Sequence, residues 1–556
     1  MVYEDFEEHL IDTLAALARR PVGCAEQTTS TAWANLLLLE QLLANGEPQS
    51  EQSLRARRHL EIAVEALQEF QRDDGGFGYW RSATRSDAAL TAYVMEFLLR
   101  IEALSERSWP ADSAQVSTLG VDAAPKDPAW IARAAAFLAT WSHQQIAAWS
   151  AGRMPPDDLW HTPRLPSRTL ALVAHSLARH GTSTGSGTSR GAAEEALALW
   201  VSAPTDGLRE VATQTLQSRS PDPYVLALAL HTHLALEDRT SAVAVARQLA
   251  GLATRQQAGQ SWDLAGATPF WGWRRSARLE TTALVVEGLL ALTDELAEER
   301  VSKDGIDGFQ AAIRDGLTYL LLEKDRSGLW TSTQATLRVL RALDLALPTG
   351  DGEDTSDLRL TLAGKPIEDG SRVEGEGEAR RWIVPVGRGR HRLEVTSGKA
   401  ETGSTSWRLV QVRTRYVVPW KHSRAERRSE VLDFEVDCGP ERLEVGELAH
   451  CRIAIDRRPR SGGMVIAEIG LPPGAEVDRA ALLELQQQGI IQRYESWPGR
   501  AVLYLWPRQE PVRFELPWRP RLAVHGKTQP SRLWDYYDPD EEVLLAPSRF
   551  RIGELR

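Results

Sequence analysis

Apolar residues recur at three- and four-residue spacings through the first 348 positions. The spacing predicts helices over Leu10–Leu17, Trp33–Leu43, Leu60–Phe70, Leu90–Leu104, Ile131–Trp141, Leu170–Leu177, Leu226–Leu236, Val243–Leu252, Leu279–Leu292, Ile313–Leu322 and Leu337–Leu347. Turn residues separate these runs, and the Gly/Ser/Thr stretch Gly181–Gly191 reads as a mobile loop. After Leu347 the period changes. Thr349–Asp357 is a Gly/Asp-rich linker, and from Leu358 apolar positions alternate: Leu358, Leu360 and Leu362, then Trp382, Val384 and Val386, then Leu393 and Val395. Further strands are predicted over Leu432–Val436, Cys451–Ile455, Val465–Ile469, Ala501–Trp506, Val512–Leu516 and Arg521–Val524, short enough and turn-bounded enough for a β-sandwich.

A loose repeat runs through the helical half. Asp74-Gly75-Gly76-Phe77 leads through Trp80 into the helix at Ala89; Trp160 leads into the helix at Thr169. Trp262, Trp271 and Trp273 precede Glu280-Thr281-Thr282, and Ser327-Gly328-Leu329-Trp330 precedes Ser332-Thr333-Gln334-Ala335-Thr336. The plan is an aromatic plug, a short polar link and an amphipathic helix. Such hairpins cannot bury their faces alone, so they stack. The reading is a multidomain chain: an α/α toroid of stacked helical hairpins over 1–348, a β unit over 349–418 and a β-sandwich over 419–556. The toroid also gives a use to nineteen Trp, against ten Phe and ten Tyr.

A net charge of −11 with no offsetting basic domain argues against nucleic acid as a partner. No apolar run approaches the ~18 residues of a membrane span. The N-terminus, Met1-Val2-Tyr3-Glu4-Asp5-Phe6, is acidic and reads as carrying no signal peptide. There are three cysteines. Cys438 and Cys451 share a β-rich segment and could pair or stay reduced; Cys24 is then the odd one.

Cys24 and Gln27, in Pro21-Val22-Gly23-Cys24-Ala25-Glu26-Gln27, stand three residues apart where a helical pattern begins. On a first helical turn that spacing puts thiol and carboxamide on one face. The sulfur can attack the amide carbon, ammonia leaves, and an internal thioester closes. The alternative is a cysteine serving as a small buried hydrophobe.

The segment resembles the thioester signature of the alpha-2-macroglobulin and complement C3 family, usually Gly-Cys-Gly-Glu-Gln, with Ala25 in place of the middle glycine. Ala89-Leu90-Thr91-Ala92-Tyr93-Val94 and Trp330–Thr336 resemble other parts of that family's thioester domain. Gly463–Ile469 and Trp534-Asp535-Tyr536-Tyr537-Asp538-Pro539-Asp540 look like its receptor-binding, macroglobulin-like domain, and residues 358–418 resemble the second half of its CUB domain. The resemblance implies a C-terminal portion, with macroglobulin domains, bait region and first CUB half absent from this sequence. It also implies an extracellular or periplasmic setting.

What the resemblance implies chemically is a single-use covalent trap, not an enzyme, with no cofactor and no metal. Target proteases or surface nucleophiles, amines or hydroxyls, would end joined to Gln27. Glu26 would orient the ring, handle protons or only complement the helix dipole. Met464, Tyr536 and Tyr537 would shield the bond from water. His161 is the candidate acyl acceptor, with His143 the runner-up. Two other readings stand beside this one. One is a non-catalytic binding or adhesion toroid whose thioester never forms. The other is a terpenoid-cyclase- or prenyltransferase-like enzyme, which Gln71-x-x-Asp74-Gly75-Gly76-Phe77 also resembles; but no Asp-x-Asp-Asp run occurs, and Cys24 is the sole cysteine of the helical half.

Overall fold

The computed structural model describes residues 6–106, 129–150, 166–201, 222–257, 259–264, 266–298, 303–324, 329–346, 359–367, 386–387, 389–396, 429–458, 464–506, 510–536 and 541–554. The chain divides into two compact units: Met1–Leu264 with Leu279–Arg415, and Ala265–Arg278 with Tyr416–Arg556.

The first unit is helical. Its helices are α1 (Phe6–Leu17), α2 (Ala25–Ala44), α3 (Glu51–Gln68), α4 (Ala88–Glu106), α5 (Ala129–Ser150), α6 (Pro166–Thr184), α7 (Gly187–Val201), α8 (Pro223–Ala235), α9 (Arg239–Leu252), α10 (Arg275–Glu298, in this unit from Leu279 on), α11 (Lys303–Leu322) and α12 (Thr333–Ala346). Every helix predicted by the apolar spacing is present. Short polar side chains set several of the starts: Ser50 caps α3, Asp222 caps α8 and Asp238 caps α9, each accepting N–H groups of the first turn.

Even-numbered helices form an inner ring. Contacts run α2 to α4, α4 to α6 and α6 to α8. His231 of α8 reaches the Leu284 carbonyl of α10 at 3.0 Å, and a Cβ on Gly288 would sit 2.9 Å from Leu230, so α8 and α10 cross closely. Glu287 of α10 pairs with Arg341 of α12 at 2.6 Å, and α12 packs on α2, which closes the circle. The toroid expected from the repeat is therefore present.

The aromatic plugs obey one rule. The backbone N–H groups of Phe77, Trp262 and Trp330 donate to the buried hydroxyls of Thr91, Thr282 and Thr336 in the next inner helix, at 2.8, 3.1 and 3.1 Å. The two indoles also donate to Leu249 and Leu320 carbonyls at the ends of the preceding outer helices. In the first copy the plug is Phe77, fully buried against Trp130, whereas Trp80 is 59% exposed. Trp160 lies outside the described residues.

The Gly181–Gly191 stretch is not a loop. Thr182 and Thr184 turn their hydroxyls back onto the Ala178 and His180 carbonyls, so α6 continues to Thr184. Gly185 takes φ +71°, and Ser186 accepts the Ser189 N–H to start α7. Gly181 is small because a Cβ there would lie 2.9 Å from the Arg190 nitrogen. Here glycine and serine make a tight corner and a close crossing, not slack chain.

At the C-terminal ends of α2 and α12, Asp344 accepts a hydrogen bond from Gln41 beside the buried Glu40. Burial, with the Glu40 charge adding to it, pushes the Asp344 carboxyl up to about 6. The folded state thus holds a proton that the unfolded chain, titrating near the ordinary 3.8, has released. Stability falls as pH rises from about 4 to about 6 and stays reduced above that. Asp344→Asn is expected to stabilise the helical unit by about 2 kcal/mol at pH 7.5, and by little at pH 4. Thermal melts at both pH values check this.

The first unit also holds a two-stranded hairpin, β1 (Thr254–Arg255) with β2 (Gln260–Ser261). It holds a three-stranded sheet as well, in the order β4 (Lys365–Pro366), β3 (Arg359–Leu362), β5 (Leu393–Thr396). Trp382 and Val384 lie outside the described residues; Val386 is exposed and not in a strand.

The second unit is strand-rich. One sheet orders β10 (Ala475–Val477), β13 (Val512–Pro520), β8 (Ala449–Arg457) and β6 (Leu432–Asp437). A second orders β11 (Arg493–Trp497), β12 (Arg500–Leu505), β9 (Val465–Gly470), β15 (Ser531–Asp535) and β16 (Glu542–Leu545). A third orders β14 (Val524–Lys527), β17 (Arg549–Gly553) and β7 (Arg442–Glu444), the last pair parallel. Alternation in β8 and β13 sends Cys451, Ile453, Ile455, Phe514, Leu516 and Trp518 into a core shared with Val465, Ala467, Leu503 and Leu533 of the second sheet. Cys438 and Cys451 are joined as a disulfide within this core. The strand expected at Arg521–Val524 begins only at Val524, because β13 runs on to Pro520 and Arg521 turns to donate to the Gly474 carbonyl. One helix, α13 (Arg479–Gln487), is capped by Asp478.

Candidate functional site

Chain entering α2 is pinned before the helix begins. Asn35, fully buried, donates to the Arg19 carbonyl at 3.0 Å. Gly23 then takes φ +112°, and Cys24 is extended at φ −75°, ψ 171° as the N-cap. Cys24 Sγ accepts the Gln27 N–H at 3.5 Å, while Gln27 Oε1 accepts the Cys24 N–H at 3.3 Å. This is a capping box with sulfur and carboxamide in place of the usual hydroxyl and carboxylate. Capping itself folds the thiol and the carboxamide back to one helix end. A Cβ on Gly23 would fall 2.2 Å from Gln27 Oε1 and 3.2 Å from its carbonyl carbon, so glycine makes the space the carboxamide occupies.

Cys24 is buried, whereas Val22, Gly23 and Gln27 are exposed. Ala25 is fully buried and donates to the Tyr79 carbonyl at 3.0 Å, which ties this turn to the plug loop. Burial pushes the thiol above its ordinary pKa; the Gln27 N–H opposes this and the Glu26 charge adds to it. A helix N-terminus alone would lower the thiol, and here desolvation outweighs it. Glu26 Oε1 accepts Gln334 Nε2 at 2.7 Å and the Ser30 hydroxyl at 2.9 Å; Ser30 in turn meets the buried Tyr93 hydroxyl at 3.1 Å. Burial, then the Glu26 charge, raises the Tyr93 phenol.

Behind this network the ring axis carries charge. Arg341 pairs with Glu96 of α4 at 2.7 Å, pairs with Glu287 of α10, and lies 4.8 Å over the Trp33 ring of α2. Arg338 lies 3.5 Å from Glu96. Burial would raise Glu96 and Glu287, but the guanidiniums outweigh it and hold both carboxyls low. Burial keeps His175 and His231 well toward the neutral form.

The sequence reading missed this cluster and the Gln334 contact. The signal was available: Gln334, Arg338 and Arg341 recur at i, i+4 and i+7, and Glu96 and Glu287 interrupt otherwise apolar inner helices. Met464 and Tyr536 meet at the paired ends of β9 and β15, where the Tyr536 N–H donates to the Met464 carbonyl at 3.0 Å. His161 and Tyr537 lie outside the described residues. His143 pairs with Glu195 of α7 at 2.6 Å on the surface. Among the described residues no group of three His, Cys, Asp or Glu is placed to hold a metal, and no helix is long and apolar enough to cross a membrane.

Residues 2–164 match the family model of the A-macroglobulin TED domain, and residues 460–545 that of the A-macroglobulin receptor binding domain. Over 84 residues the chain is 36% identical to the alpha-2-macroglobulin of Escherichia coli K12, a match spanning 14% of this chain and 5% of that protein. Its fold is similar to the crystal structure of native E. coli alpha-2-macroglobulin from domain MG7 to the C-terminus (TM-score 0.50, 16% identity, 99% of this chain and 76% of that one). It is similar also to Salmonella alpha-2-macroglobulin reacted with methylamine (TM-score 0.50, 17% identity), where it covers 99% of itself and 31% of that chain.

Proposed function

We propose, from the premise that this chain carries the A-macroglobulin TED and receptor-binding domains in the architecture of the alpha-2-macroglobulin C-terminal region, that it bears an internal thioester used once for covalent capture. The observation that carries this is the reciprocal capping of α2 by Cys24 and Gln27 over Gly23. In closure, the Cys24 sulfur bonds the Gln27 side-chain carbonyl carbon and the amide nitrogen leaves as ammonia. In capture, an amine or hydroxyl bonds that carbon, the C–S bond breaks, and the Cys24 thiol reappears. Gln27 is then spent, so the protein is a trap and not a turnover catalyst. Target proteases and other surface nucleophiles are the partners, acting with macroglobulin domains beyond this sequence. Met464, Tyr536 and Tyr537 serve as the water shield, and His161 as an acyl acceptor for hydroxyl targets. The disulfide between Cys438 and Cys451 favours an oxidising compartment, periplasmic or extracellular.

The test is capture of a lysine-containing peptide. The adduct is expected at Gln27 by peptide mapping, with one Cys24 thiol released per adduct, and Cys24→Ala is expected to capture none. Equal labelling of Cys24→Ala, or adducts spread over surface glutamines, overturns the reading.

A further inference from the structure

Asn35 of α2 ties three pieces of chain together. Its amide donates to the Arg19 carbonyl at 3.0 Å and to the Thr31 carbonyl at 2.8 Å, and its Oδ1 meets His59 Nδ1 of α3 at 3.0 Å. Arg20, the next residue after Arg19, is thereby held beside the face of α3 that carries His59. Arg55 stands four residues before His59 and three before Arg58, so these share that face. Arg20, Arg55 and Arg58 are exposed, and among the described residues none of them has a carboxylate or hydrogen-bond partner. Burial, then the charges of Arg55, Arg20 and Arg58, hold the His59 imidazole toward its neutral form. Three free guanidiniums thus bear on one spot.

That spot lies on the same side of α2 as the thioester turn. The Thr31 hydroxyl donates to the Gln27 carbonyl and the Asn35 amide to the Thr31 carbonyl, so Gln27, Thr31 and Asn35 form one stripe of the helix. The two steps of four residues amount to about 12 Å along the axis. Gln27 is exposed at the other end of the stripe, next to exposed Val22 and Gly23. Helix α3 packs on α2 across the short link Asn45–Ser50 and so runs back toward Gln27. Along it the charge changes sign, from Arg55 and Arg58 to Glu61 and Glu65. The basic surface is therefore short, and the chain around it carries a net −11. A long polyanion or an anionic membrane meets repulsion on every side of such a surface, whereas a short acidic segment does not. Guanidiniums pair carboxylates in a two-pronged fit. The acidic stretch of α3 toward Gln27 suits a cation there, as a lysine is. We propose that Arg20, Arg55 and Arg58 form a docking surface for an acidic polypeptide segment and present to Gln27 a lysine about four extended residues, at ~3.3 Å each, from that segment's carboxylates.

The proposal rests on the thioester reading for its chemical step. The lysine amine bonds the Gln27 carbonyl carbon, the C–S bond breaks, and the amine's surplus proton ends on the Cys24 thiolate. What the surface adds is a choice among lysines.

The test uses the full chain and two acetylated peptides of equal length with one lysine each. One carries three aspartates centred about four residues from the lysine; the other has serines there. At low salt the acidic peptide is expected to be captured about tenfold faster, and the ratio to fall toward one as salt is raised. Moving the aspartates about ten residues from the lysine is expected to remove the advantage. Arg55→Gln with Arg58→Gln, and separately Arg20→Gln, are expected to lower the ratio. A merely structural effect would slow both peptides alike and leave it. A wild-type ratio near one, or a ratio unchanged in both variants, overturns the proposal. A labelled acidic peptide with alanine for lysine reads docking without capture, by fluorescence polarisation. Its binding is expected to be salt-sensitive and to weaken about fivefold or more in the Arg55→Gln/Arg58→Gln chain. Stronger binding to phosphatidylglycerol vesicles than to this peptide overturns the choice of occupant. A chain that binds this peptide through these arginines but captures neither lysine peptide sinks the thioester reading and leaves the docking surface standing.

Discussion

Gly23→Ala is expected to reduce thioester closure at least about tenfold while leaving the ring of helices folded. The residue stands at φ +112°, a conformation L side chains rarely adopt, and its missing Cβ is the space filled by the Gln27 carboxamide. Backbone strain of this kind costs on the order of 1–3 kcal/mol, and overlap with Oε1 adds to it. The chain can relieve both only by turning Gln27 away, which breaks the capping box and parts the acyl carbon from the sulfur. The position is exposed, so the melting temperature of the helical unit is expected to move by no more than a few degrees. Intact mass reports the closed fraction, and a melt reports folding. A fully closed ring in Gly23→Ala would show that the glycine does not set the geometry.

Arg341→Ala is expected to destabilise the helical unit by about 3–5 kcal/mol at pH 7.5, the usual result of stranding a buried charge. Its guanidinium bonds carboxylates from two inner helices and covers Trp33 of a third, so its removal leaves two buried carboxylates, Glu96 and Glu287, to share Arg338 alone at 3.5 and 4.0 Å. The pH dependence separates this from lost packing. In the wild type the Glu96 carboxyl is held low, so its contribution is full above the ordinary carboxylate pKa and is lost as pH falls through the folded value. Without Arg341, one guanidinium, Arg338, is left against two buried carboxyls, and both are expected to rise from their wild-type values. The variant then gains from taking up protons, and its deficit is expected to shrink between pH 7.5 and pH 5. Denaturant unfolding at the two pH values measures it; an unchanged deficit contradicts the electrostatic account.

The helical ring was legible because inner helices keep their apolar spacing and each plug has a local signature. The reading erred where one residue type serves two purposes. Gly181, Gly185 and Ser186 look like slack chain, but they permit a close crossing, a positive φ and a helix cap. Trp80 looks like the plug because it is large, yet Phe77 fills the gap, since its N–H is the one that meets Thr91. At the candidate site, Cys24 and Gln27 were legible because capping and chemistry need the same i, i+3 spacing. Gln334 was not, because its partner Glu26 lies 308 residues away in sequence and only ring closure brings the two together. The sheet edges were the least legible part. Strands such as β7 and β10 are three residues long, too short for a period to show.

The central claim, that Cys24 and Gln27 join, is tested most directly by the intact mass of freshly folded chain never exposed to an amine. The account predicts a mass one ammonia below that of the disulfide-bonded sequence, no alkylation of Cys24 under denaturing conditions, and recovery of both the thiol and a modified Gln27 after methylamine. A chain at full mass whose Cys24 alkylates completely before any amine is added would contradict it.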